Sequence, residues 1–131
     1  MKPGARKAEV VHLDNIAAEA LFDFQRQVIF SPAERGEGFI KFAVVRGKKG
    51  ATSQPHVHPR DEVTLTLEGE AELRVGEDRY RLTPGSAVRI PPGVSHVVEV
   101  ISDEWVVVSA YCDECMLCVG RGNGDGDKTA R

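Results

Sequence analysis

No stretch of this chain is apolar for long enough to cross a bilayer, and the opening segment MKPGARKAEVVHL has no apolar core of signal-peptide length. The expectation is a cytoplasmic protein. An excess of charge is missing too: 17 Lys and Arg against 20 Asp and Glu leave a formal net charge of −3. That balance gives no electrostatic footing for nucleic acid or for an anionic membrane surface. Cysteine is scarce, and Cys112, Cys115 and Cys118 form an odd set crowded into one corner that cannot staple a fold. A reducing compartment is the simpler assumption. Helical periodicity is nearly absent, and no internal repeat or second domain is visible. The 131 residues are enough for one real core, and the apolar and charged fractions are ordinary for a globular domain.

What is present is alternation. Residues 1–9 are polar, and DNIAAEAL (14–21) suggests a short helix or turn, so 1–21 is expected to be an arm. In FDFQRQVIF, Phe22, Phe24, Val28 and Phe30 share one strand face with Arg26 among them. SPAERGEG (31–38) reads as a loop, and FIKFAVVR (39–46) as a strand covered on both sides. AELRV alternates with Ala71, Leu73 and Val75 on one face, then turns at Gly76 to Asp78 and returns as a hairpin. SAVRI is a short strand between the TPG (83–85) and PPG (91–93) turns, and HVVEVI and EWVVVSAY (104–111) supply two more strands. Residues 112–131 carry the cysteines and end in a solvated tail. Eight or more short strands with almost no helix predict a single all-β sandwich or barrel over 22–111.

One segment, GATSQPHVHPRDEVTLTLEG (50–69), crowds together residues that bind metals. His56 and His58 are two apart, so on a strand both imidazoles point to one face. Glu62 has the same parity, but four extended residues would carry it ~13 Å away. Pro59-Arg60-Asp61 offers the bend that would bring it back on an adjacent strand. His96, opening a strand directly after PPGVS, is a fourth candidate ligand. Histidines and a carboxylate converging from neighbouring strands suit a divalent transition metal.

These residues carry a resemblance. Gly50, His56, His58, Glu62 and Gly69 resemble the first cupin motif, G-x5-H-x-H-x3-E-x6-G. Gly85, Pro91, Gly93 and His96 resemble the second, G-x5-P-x-G-x2-H, whose usual Asn after three further residues is Val100 here. The resemblance implies a small jelly-roll β-barrel, one metal held by three His and one Glu, and a homodimer. The metal would be Fe, Mn, Ni or Zn. It also implies a small-molecule ligand or substrate. Relatives that oxidise thiols resemble the motif but lack the Glu, so Glu62 makes that branch the less expected one.

Further candidates follow from strand parity. Gln54 shares parity with His56, and Thr64 and Thr66 share it with Glu62, so all three are expected to line a cavity, touching substrate or an ordinary water. Arg26 either pairs with a substrate carboxylate or, more plainly, lays its stem over apolar neighbours. CDECMLC has metal-like spacing but no fourth ligand, since position 122 is Gly. Tyr80 and Tyr111 are weak candidates for a separate general acid or base. The expected function is a metalloenzyme acting on a small oxygen-rich metabolite (a diketone, enol, phenol or sugar acid), by dioxygenation or by non-redox isomerase or lyase chemistry. The alternative is a non-catalytic barrel that binds or senses a small ligand.

Overall fold

A computed structural model describes residues 8–31 and 41–111. Cys112, Cys115 and Cys118 and most of the loop expected at 31–38 lie outside the described residues. Nine strands are present among the described residues: β1 Glu19–Leu21, β2 Phe24–Phe30, β3 Lys41–Lys48, β4 Glu62–Glu68, β5 Ala71–Val75, β6 Asp78–Leu82, β7 Ala87–Ile90, β8 His96–Val100 and β9 Glu104–Tyr111. The helix or turn expected over 14–21 is a single 3-10 turn, Leu13–Asn15, while Glu19–Leu21 is strand. Ala, Glu and Leu favour helix locally, but pairing Glu19↔Arg26, Ala20↔Gln25 and Leu21↔Phe24 wins.

The strands form a six-stranded sheet, ordered β1-β2-β3-β9-β4-β7, and a three-stranded sheet, β6-β5-β8. Every pairing is antiparallel, and the two sheets pack face to face as a jelly roll that does not close into a continuous barrel. The core lies between them, where alternate residues meet: Phe24, Val45, Leu73, Leu82, Ile90, Trp105 and Val107. β3 is central in its sheet, and Ala43, Val44 and Val45 are all buried, as expected of a strand covered on both faces; Phe42 and Arg46 remain exposed.

The chain crosses from the large sheet to the small one at Gly69, and here the glycine is needed. Its φ is +81°, and a Cβ would lie 1.8 Å from the Glu104 carbonyl oxygen. Ser102 Oγ fixes the same corner by accepting from Glu70 N at 2.8 Å and donating to Glu104 O at 2.6 Å. This crossing lets β4 run along one sheet and β5 along the other, so the side chains at the start of β4 face those of β8.

Candidate metal centre

His96 opens β8, and Glu62 opens β4 directly after a bend at Pro59 and Arg60. The segment before the bend is no regular strand. It touches β8 through two isolated bridges, Thr52↔Glu99 and His56↔His96. Three residues lie between the bridged positions on this side and two on the β8 side, so this segment carries one extra residue. Ser53 absorbs the mismatch: its N–H donates to Val98 O, and its Oγ accepts from Val98 N, both at 3.0 Å. Mutual backbone bonds between His56 and His96, at 3.2 and 3.0 Å, then aim both rings into the same space.

One ligand atom from each of His56, His58, Glu62 and His96 lies within 4.8 Å of every other. The three imidazole centroids are 4.2 to 4.9 Å apart. Glu62 Oε1 is 2.9 Å from His58 Nε2 and 3.5 Å from His96 Nε2. Backbone carbonyls fix two of the rings: His56 Nδ1 donates to Gln54 O at 2.7 Å, and His96 Nδ1 donates to Val94 O at 3.1 Å. A carbonyl only accepts, so a proton sits on each Nδ1, and the Nε2 side of each ring is the one turned to the cluster.

Electrostatics keep the donors ready. Burial, with the neighbouring His96 imidazole second, pushes His56 down to about 4. Burial alone would raise Glu62, but the close approach of His58 and His96 outweighs it and holds the carboxyl at about 2. At neutral pH the cluster therefore offers a carboxylate and a bare imidazole at His56. The Nε2 atoms of His58 and His96 are buried and have no properly directed hydrogen-bond partner. Two buried, unpaired nitrogens beside a carboxylate are what a metal cation would satisfy, so the donor set fits one transition metal.

The cluster stands in the wall of a cavity of about 90 Å³. Its interior is apolar, formed by Phe24, Leu73, Leu82, Ile90, Trp105 and Val107, with Ser53, Thr64 and Ser109 among its polar lining. A smaller recess of about 60 Å³ continues past His58 to Tyr111. Leu21 and Phe22 line both spaces.

The residues expected to surround the metal are placed differently from one another. Thr64 lines the cavity, paired in register with Ser109 on β9. Gln54 points outward and contributes its backbone carbonyl to His56, because the extra residue before the bridge turns Ser53 inward instead. Thr66 is fully buried, and its hydroxyl accepts from Trp105 Nε1 at 3.2 Å rather than facing the cavity. Arg26 is buried in β2, where its guanidinium binds Glu19 and donates to the Tyr111 hydroxyl at 2.9 Å. Tyr111 in turn stacks over His58, with ring centroids 6.0 Å apart. Tyr80 is exposed on β6, among the residues of an outer groove.

Sequence reasoning missed Ser53, Ser109 and Phe22. Ser109 was visible in principle, since Trp105, Val107, Ser109 and Tyr111 alternate along β9. Ser53 depends on the inserted residue, and Phe22 on a turn geometry that no pattern of apolar residues encodes.

Comparison with known proteins agrees with this fold and with both motifs. The cupin domain family matches residues 43–112, more than half of the chain. The protein belongs to the cupin family. An uncharacterised protein of Streptomyces coelicolor is 32% identical over 62 residues, which are 47% of this chain and 59% of that protein. The chain thus matches less than two thirds of that curated relative's length. Among solved structures, KdgF from Halomonas sp. is similar with a TM-score of 0.70 at 19% identity, over 80% of this chain and 93% of that one. A predicted oxalate decarboxylase from Thermotoga maritima gives 0.72 at 17% identity, over 79% and 98%. The polyketide cyclase RemF from Streptomyces resistomycificus gives 0.69 at 19% identity, over 82% and 81%. At these identities the likeness is one of fold. This cupin has no helix, among its described residues, long and apolar enough to cross a membrane.

Proposed function

We propose that this cupin is a mononuclear metalloenzyme acting on a small oxygen-rich metabolite, by dioxygenation or by isomerase or lyase chemistry without redox change. The observation that carries the reading is the meeting of four ligand atoms within 4.8 Å at the wall of an apolar cavity. His56, His58, Glu62 and His96 would hold one Fe, Mn, Ni or Zn ion. Such an ion supplies Lewis acidity toward a carbonyl or enolate and, if it is iron, a partner for dioxygen. The chain's own residues do the rest. Gln54 O and Val94 O hold two imidazoles in the ligating tautomer. Glu62 supplies a negative charge, Thr64 and Ser109 offer hydroxyls to orient an oxygen-bearing ligand, and the apolar lining limits water. Two of the fold relatives carry enzyme names, a predicted oxalate decarboxylase and a polyketide cyclase.

A second reading, a barrel that binds or senses a ligand without turning it over, also has an observation in its favour. Among the described residues that line the deep cavity, only His56, Glu62 and His96 titrate, so no separate acid or base stands there. Metal analysis of the purified chain, followed by a turnover screen of the loaded protein, decides between the two. About one metal per chain with turnover lost in His58→Ala supports the enzyme. Saturable binding without turnover supports the binding barrel, and absence of metal under all loading conditions overturns the enzyme and leaves the binding barrel.

The proposal includes a homodimer and keeps the cytoplasmic location expected from the sequence. Phe42, Val63 and Leu65 leave an apolar stripe exposed on the side of the large sheet that faces away from the core, which a second copy would cover. Sedimentation at micromolar concentration tests this, and a monomer would remove it.

A further inference from the structure

The deep cavity holds little charge to offer a ligand. No lysine or arginine is found among its described lining residues, and Glu62 is the one carboxylate there. Arg26, the buried cation of β2, is already engaged by Glu19 and the Tyr111 hydroxyl. A divalent ion beside Glu62 would leave one positive charge in an apolar setting. One anionic group on a ligand balances that charge. A second would be buried without a counterion, which is costly in a low-dielectric site. The lining also carries the hydroxyls of Ser53, Thr64 and Ser109, neutral partners suited to a carbonyl or enol oxygen.

One residue that lines both the cavity and its recess is unusual. Phe22 is the first position of the two-residue turn between β1 and β2, where Leu21 pairs with Phe24. Its φ is +56°, and it is the one non-glycine residue with a positive φ among the described residues. Glycine is the usual occupant of such a position, and a side chain there costs about 1–2 kcal/mol. The strain places the Phe22 ring 5.5 Å from the His56 ring, against both the cavity and its recess. Asp23 pins the turn to the ligand-bearing segment, its carboxylate accepting from Thr52 N at 3.1 Å. A strained aromatic in the lining of a cavity points to a role in selecting what the cavity holds.

Resting on the metal reading above, we propose that this site takes a small, neutral or singly charged molecule with two neighbouring oxygens and an apolar body, of the 1,3-diketone kind, and that Phe22 is its specificity-determining residue. Dicarboxylates and sugar acids, whose second charge or many hydroxyls would lie against Leu73, Ile90 and Trp105, are excluded by the same lining. The substrate class named for one fold relative, oxalate, therefore does not transfer to this chain.

The test uses the chain's single tryptophan, Trp105, which lines the cavity and reports its occupancy by fluorescence. The full-length, metal-loaded protein is titrated with acetylacetone and with malonate, which have the same chain length but a methyl in place of each outer carboxylate oxygen. Acetylacetone is expected to bind at least about tenfold more tightly, since apolar contact and an unbalanced charge act in the same direction. In Phe22→Gly, which also relieves the backbone strain, the bulkier benzoylacetone should gain at least about tenfold relative to acetylacetone. Phe22→Asn, whose side chain tolerates positive φ, serves as the second variant and should show the same change of preference. Equal or tighter malonate binding overturns the ligand class, and an unchanged ratio of benzoylacetone to acetylacetone overturns the role of Phe22. Elemental analysis of each sample separates the cases. Protein that takes up no metal overturns both readings, whereas loaded protein that prefers malonate overturns only this one.

Discussion

His58 Nε2 lies 2.9 Å from Glu62 Oε1 without the direction of a hydrogen bond. Two lone-pair donors held that close repel unless a proton or a metal cation sits between them. The fold holds them there regardless, with His58 buried beneath Tyr111 and Glu62 placed as the first residue of β4. Glu62→Gln keeps the shape of the side chain and removes its charge. The expected result is a loss of at least about a hundredfold in metal affinity, since altering even an outer partner of a ligand costs ten- to a hundredfold. Competition against a chelator measures it. Retention of wild-type affinity would mean that Glu62 is not a ligand.

Acid should weaken the metal-free protein in two stages. The folded value of His56, about 4, lies below its ordinary 6.5, so the unfolded chain takes up that proton first as pH falls. Stability is therefore full above about 6.5 and is lost between there and about 4. Glu62 acts in the same direction: its folded value of about 2 lies below the ordinary 4.5, and the stability it contributes is lost as pH falls through that lower window. Each group gives a slope of at most about 1.4 kcal/mol per pH unit. Urea denaturation of apoprotein across pH should show the upper slope, and His56→Gln should remove it while leaving the lower one.

Much of this was legible because strands announce themselves by alternation. Ala71, Leu73 and Val75 were placed on one face from their spacing, and Ala71 and Leu73 are among the most buried residues in the core. The four clustered side chains were legible because their spacing is set by a bend and a turn that the sequence spells out with proline and glycine. Parity failed where the count slipped. One extra residue between two bridges sends Gln54 outward and Ser53 inward, and no local preference signals such an insertion. Helix propensity misled at AAEAL because β2 supplies backbone partners that the segment alone does not have. Hydrogen bonding explains the rest: Thr66 has the parity of a cavity residue, but the Trp105 indole claims its hydroxyl.

The glycines of the first motif differ in what they do. Gly50 and Gly69 both have positive φ, but a Cβ at Gly50 meets nothing within 4 Å, whereas one at Gly69 would overlap the Glu104 carbonyl. Gly50→Ala should therefore cost only backbone strain, about 1–2 kcal/mol. Gly69→Ala adds displacement of the crossing between sheets and should cost more than about 3 kcal/mol, in the range reserved for named structural faults. Equilibrium unfolding compares the two. Equal costs would show that the corner yields more easily than its geometry suggests.

Arg26, Tyr111 and His58 form a path from β2 to the His–Glu cluster. Arg26 donates to the Tyr111 hydroxyl, and the Tyr111 ring covers His58. Glu19, another partner of Arg26, is half exposed, so its ion pair is screened and Glu19→Gln should cost under about 1 kcal/mol. Tyr111→Phe removes one hydrogen bond to a charged donor and should cost about 1.5–3 kcal/mol. Arg26→Met avoids leaving a buried charge and should cost no more than about 3 kcal/mol, with part of the packing retained. If the two side chains act as one unit, the double variant will be less destabilised than the sum of the single ones by about 1 kcal/mol or more. Urea unfolding of the four proteins closes that cycle, and strict additivity would show that the bond contributes nothing to the wall behind His58.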